Sequence, residues 1–145
     1  MRYNFCITIL FLSMLPSVTF SQKDEDESST HGWANGRYWV GLSLDAKIQH
    51  LYGIEAGINL FAEELKSKTK TESEWNRVEE LRKKLMIGGF RFSDVAQQVD
   101  KFFEDRSNIR IPVDYAYLYS VRKMSGESPS QLEYYLASLR KQWNN

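Results

Sequence analysis

The chain has 145 residues, with 19 basic and 19 acidic side chains, 42% hydrophobic and 26% charged residues. Zero net charge argues against a nucleic-acid binder, which needs a concentrated basic surface to neutralise phosphates. One cysteine and two histidines argue equally against a disulfide scaffold or a thiolate metal centre.

Residues 1–21 read as a secretory signal peptide. Arg2 gives a positive start, Phe5 to Leu15 is a short apolar run, and Thr19-Phe20-Ser21 offers a small-residue cleavage site. The run falls short of the roughly 20 apolar residues of a spanning helix, so no stable membrane span is expected after cleavage. An uncleaved anchor is the competing reading. Cleavage would leave 124 residues with 18 basic and 19 acidic side chains and no cysteine. That is enough for one domain with a single core, expected in the periplasm or secreted and held by packing instead of disulfides.

Residues 22–34 are mostly polar and acidic and read as a flexible lead-in, so the helical domain is expected over 35–145. "HGWANGRYWVGLS" suggests a short helix that lays Tyr38 and Trp39 on the core. Ser43 is the N-cap expected for a long helix over about 44–65, with Asp45 suiting the dipole of its first turn. Leu44, Ile48, Leu51, Ile58 and Leu65 share one face of it. Gly53 and Gly57 lie one turn apart near the opposite face. Each glycine costs roughly 1 kcal/mol relative to alanine inside a helix, which suggests that a neighbour approaches the backbone closely there. Thr71 and Glu74 form a capping-box pattern for a helix to about residue 87, with Trp75, Val78, Leu81 and Leu85 as its stripe and Gly88-Gly89 as its stop. Ser93 is expected to cap a third helix, which buries Val95, Val99, Phe102 and Phe103. Pro112 opens a fourth at its first helical position. Ser128 and Pro129 open a last one, with Leu132, Leu136, Leu139 and Trp143 inward. No alternating strand pattern appears, so the fold class is all-α, a bundle of four to five helices.

The fourth helix, "VDYAYLYSVRKM", is apolar around most of its circumference. One reading buries it in the middle of the domain, the usual fate of such a helix. The other stands Tyr115 and Tyr119, with Arg122, on an exposed face together with Asp105, Arg106 and Asn108 of the preceding turn. Tyrosine and arginine are the side chains most enriched at binding hot spots. Glu55 falls within the apolar stripe of the long helix, where a carboxylate is either paired or titrates high. A high-titrating carboxyl could serve as a general acid. A partnered carboxylate, bonded to a tyrosine or an arginine, is the plainer reading. His50 and His31 are too few for a zinc site, and the acidic run Asp24 to Glu27 lacks the spacing of a calcium loop. No cofactor, metal site or catalytic constellation is therefore expected.

"GRYWVGLSLDAKIQHLYGIEAG" and "VDKFFEDRSNIRIPVDYAYLYSVRKMSGESPSQLEYYLASLR" resemble small exported bacterial helical proteins of mostly unknown function. The shared pattern is carried by Trp39, Lys47, Tyr52, Gly53 and Gly57, and then by Asp100, Phe102, Phe103, Asp105, Asn108, Ile111 and Pro112. More distantly the layout is similar to the Tai-type immunity proteins, which neutralise peptidoglycan amidases delivered by type VI secretion. Those commonly carry cysteines, and this mature chain has none. The resemblance implies an exported, non-enzymatic domain that binds another protein, an envelope protein or a toxin enzyme, with a homo-oligomer as a further option. The alternatives are an envelope hydrolase using Glu55 and a structural, self-associating envelope protein.

Overall fold

The computed structural model describes residues 27–144. The expected signal peptide and the first part of the lead-in lie outside them. Among the described residues are six α-helices and one two-stranded hairpin: β1 (Ser29–Thr30), β2 (Trp33–Ala34), α1 (Gly36–Val40), α2 (Leu44–Lys68), α3 (Glu72–Leu85), α4 (Phe92–Glu104), α5 (Val113–Met124) and α6 (Pro129–Trp143). A 3-10 turn (Arg106–Asn108) links α4 to α5.

The second half of the expected lead-in is part of the domain. His31 and Gly32 both take positive φ and turn β1 back on β2, the conformation of a tight hairpin turn. Thr30 and Asn35 are buried. The Asn35 amide donates to the Thr30 hydroxyl at 3.0 Å and to the Glu27 carbonyl at 3.1 Å, so a polar segment is held by hydrogen bonds where it has little apolar surface to bury. In α1, Trp39 is fully buried, whereas Tyr38 stays substantially exposed. Gly36 lies against Phe103, where a β-carbon would come within 2.4 Å of the ring. Only glycine fits there.

Ser43 caps α2 by accepting from the Ala46 amide, and Thr71 and Glu74 complete the capping box of α3. Two expected starts move. Helix α4 begins at Phe92 with Arg91 as its cap residue and no side-chain cap bond, so Ser93 lies inside the first turn. Pro112 is the cap residue of α5 and not its first helical position. Ser128 holds the cap position of α6, as expected, with Pro129 following.

Helix α5 is the centre of the bundle, packed against α3, α4 and α6. Val113, Ala116, Tyr117, Ser120 and Val121 are buried in it, joined in the core by Trp39, Leu51, Val95, Val99, Phe102, Phe103, Ile111, Leu139 and Trp143. The central-burial reading of this helix therefore holds. Helix α3 differs from expectation because it lies on the outside. None of its residues is buried, and Trp75 and Leu81 are exposed. It is pinned to α2 by charge instead. Lys66 contacts Glu63 at 3.0 Å and Glu79 at 2.9 Å, Arg82 binds Glu79, and the Lys66 ammonium sits 4.8 Å from the Trp75 ring centre.

Candidate functional site

The residues singled out in the sequence divide into two groups, and most prove to be joints of the bundle. Tyr115 is half-buried, its ring centre 5.4 Å from that of Trp143. Tyr119 is half-buried on Phe102 at 5.1 Å. The two tyrosines do not form an open pair, because α4 and α6 cover much of the helix circumference that carries them. Arg122 is engaged with both carboxylate oxygens of Glu127 and lies 4.3 Å from the Tyr135 ring centre.

The turn before α5 is likewise a clamp. Asn108 is buried and donates to the Phe102 carbonyl at 2.7 Å. Its side-chain oxygen accepts from Arg140 Nε at 2.8 Å, and Asp105 accepts from the other end of that guanidinium at 2.5 Å. The Ser107 hydroxyl and amide hold the Asp105 carboxyl below its ordinary range. One arginine of α6 thus locks the turn through two side chains. Arg106 alone of the six projects freely to the exposed surface.

Glu55 accepts from the Ile87 amide at 2.5 Å and from the Tyr117 hydroxyl at 3.2 Å, while that hydroxyl also lies 2.9 Å from the Leu85 carbonyl. Burial and the neighbouring Glu55 push the Tyr117 hydroxyl well above its ordinary range. The carboxylate stitches the end of α3 to α5, which is the partnered arrangement. Among the described residues, no group of three or more histidine, cysteine, aspartate and glutamate side chains could hold a metal ion. No helix there is long and apolar enough to cross a membrane.

One open surface lies on α2. Gly53 and Gly57 are exposed, and a β-carbon added to either would meet nothing within 4 Å. The close neighbour expected from these glycines is absent, and in its place a groove runs beside the helix. It encloses about 560 Å³ and is lined by Gly53, Gly57, Ile54, Ile58, Leu85 and Leu118, with His50 and Asp114 also in its lining. Burial holds the His50 imidazole below its ordinary value against the opposing pull of Asp114, and burial raises the Asp114 carboxyl. His50 Nε2 is buried with no hydrogen-bond partner. Beyond the glycines, Leu60 is 73% and Phe61 64% exposed. On a helix advancing about 100° per residue, Gly53, Gly57 and Phe61 form one row along the axis, with Leu60 beside it.

Sequence reasoning came close to this face. It places both glycines near the face opposite the buried stripe. It inferred contact from a glycine pair, although the same pair is also what keeps a surface hollow. No family model, curated protein or solved structure matches this chain.

Proposed function

We propose that this protein is an exported, non-enzymatic helical domain that acts by binding another protein, and that the groove and ridge of α2 form its contact surface. The observation that carries the reading is the open apolar row of α2. Scattered apolar side chains are ordinary on any surface, but a contiguous apolar patch around a concave site marks an interaction surface. Leu60 and Phe61 supply large anchors, and the groove with its glycine edge can take a side chain from a partner.

The class of partner follows from the resemblance described above. An inhibitor of an envelope hydrolase, in the manner of an immunity protein, needs a rigid surface and no chemistry of its own. The six-helix frame supports that role because it ties α2 down near both ends, Lys47 to Asp100 of α4 at 2.8 Å and Lys66 to Glu79 of α3 at 2.9 Å. The hydrolase alternative is less well supported, since the Glu55 carboxylate is already occupied by an amide and a hydroxyl.

The test is a crosslinking capture from the native envelope fraction, with the wild-type chain compared against a Leu60→Asp, Phe61→Asp double variant. Both side chains are solvent-exposed, so the variant should keep its circular dichroism and melting temperature. A specific protein captured by the wild type and lost with the folded variant is the expected result. Equal capture by both would remove α2 from the interface.

A further inference from the structure

The groove beside α2 has walls from two helices. One is a strip of α2, His50, Ile54 and Ile58, each about one turn beyond the last. The other is Asp114 and Leu118, about one turn apart on α5. Each wall thus begins with a polar side chain and continues with apolar ones. The two polar members stand near enough for each to act on the charge of the other. The rings of Tyr38 and Trp39 pack on His50, their centres 5.6 and 6.1 Å from its own, so this part of the groove is already formed.

Asp114 is half-buried, and among the described residues its carboxylate has neither a hydrogen-bond partner nor an ion pair. His50 does not neutralise it. Burial keeps that imidazole uncharged near neutral pH, and its Nε2 bonds nothing. The first turn of α5 favours the charged form of Asp114, yet nothing in the groove answers that charge. Whatever fills the groove therefore also covers a carboxylate. A purely apolar occupant would leave it buried and unpaired, which is costly, and an acidic one would add a like charge. A basic side chain meets both demands, with an aliphatic stem for the apolar walls and a cation at its tip. Its bond to a carboxylate is charge-assisted and correspondingly strong.

We infer that the protein bound at the α2 surface places a basic side chain, arginine or lysine, in this groove, its stem along Ile54, Ile58 and Leu118 and its cation on Asp114. This rests on reading that face as a binding surface and names the chemistry of the partner. Leu60 and Phe61 then supply apolar contact beside the groove, and Asp114 selects which proteins can use it.

The experiment titrates the full chain with n-butylguanidinium, a cation on an aliphatic stem, and with N-butylurea, its neutral isostere. Amide NMR shifts of Gly53, Gly57 and Leu118 are followed at constant ionic strength. The expected result is saturable binding of the cation with a Kd of about 1–10 mM, what a ligand of this size reaches. The urea should bind at least about tenfold more weakly, since a hydrogen bond to a charged group is worth that much. Asp114→Asn should erase the difference, and it should stay folded because the carboxylate holds no partner. Gly57→Leu, whose β-carbon meets nothing, should stay folded and exclude the cation by filling the groove. Equal binding of cation and urea, or cation binding that survives Asp114→Asn, would overturn the inference. The source of the cation is read in the envelope capture. Saturating n-butylguanidinium, but not N-butylurea or sodium chloride, should release the captured protein, and Asp114→Asn should capture it at least about tenfold less. Capture indifferent to both would overturn the basic anchor. Loss of the same protein with Leu60→Asp, Phe61→Asp would still place the interface on α2, so the two readings fail separately.

Discussion

Asp100 shows how a single side chain serves three elements. One oxygen of its carboxylate accepts from the Trp39 indole at 2.7 Å and from the Lys47 ammonium at 2.8 Å, so α4 ties down α1 and α2 together. Only 13% of the Lys47 side chain is exposed, leaving its charge little access to water. Replacing Asp100 by alanine would strand two donors, and a stranded buried donor costs roughly 1–3 kcal/mol. Asp100→Ala is therefore expected to lower unfolding free energy by about 2–3 kcal/mol in urea titration. A loss below about 0.5 kcal/mol, the usual effect of a featureless surface change, would contradict the joint. Trp39, Lys47 and Asp100 all stood out in the sequence, but their pairing did not. They are 53 and 61 residues apart, and periodicity reports only neighbours on one helix. The same limit hid Arg140, whose contacts with Asn108 and Asp105 convert two expected binding residues into a clamp.

Elements were legible where local chemistry decides them. Caps at Ser43 and Thr71 and the central position of α5 follow from short stretches of sequence, whereas α3 ends at Leu85 with Met86 as its cap residue, ahead of the expected stop at Gly88-Gly89. The end of α5 is equally local: Gly126 takes positive φ, its amide donates to the Lys123 carbonyl and the Glu127 amide to that of Arg122, the paired bonds of a glycine-terminated helix. What could not be read was that the glycine side of α2 meets solvent and not a neighbouring helix. An exposed apolar row and a buried one look alike in sequence, and α3 covers α2 through an ionic network that hydrophobic patterning does not register. Helix-interior glycine without contacts is a pure cost in the monomer. Gly53→Ala is thus expected to stabilise the dilute protein by about 1 kcal/mol, raising the melting temperature by about 4 °C for a domain of this size. A lower melting temperature would mean that something already packs on the Gly53 backbone.

Across the whole molecule, acid should act in two separate ranges. His50 binds its proton less readily in the fold than in the unfolded chain, because burial lowers its value from 6.5. Stability present above that pH is therefore lost as pH falls below it. Glu79, held down to about 2 by Arg82 and Lys66, contributes stability that disappears as pH falls from 4.5 through about 2. Asp114 works in the opposite sense, since its raised value favours the fold as it takes up a proton. Melting temperature recorded from pH 7 to pH 2 should fall in both ranges. His50→Gln should flatten the upper fall and Glu79→Gln the lower, and a wild-type profile level between pH 7 and pH 5 would contradict the His50 assignment. These titrations connect the two parts of the molecule that matter most, the groove and the hairpin of α2 and α3. The most direct test of the binding surface is thiol footprinting in native envelope extract, in a Cys6→Ser background. Ala56→Cys places an exposed thiol at the rim of the α2 row, and Ser138→Cys places a control thiol on the exposed face of α6. The expected result is that maleimide labels both quickly in dilute purified protein, and that extract slows labelling at position 56 by at least about tenfold while position 138 is unaffected. Protection at position 138 with position 56 still reactive would put the interface on α6 and contradict the account.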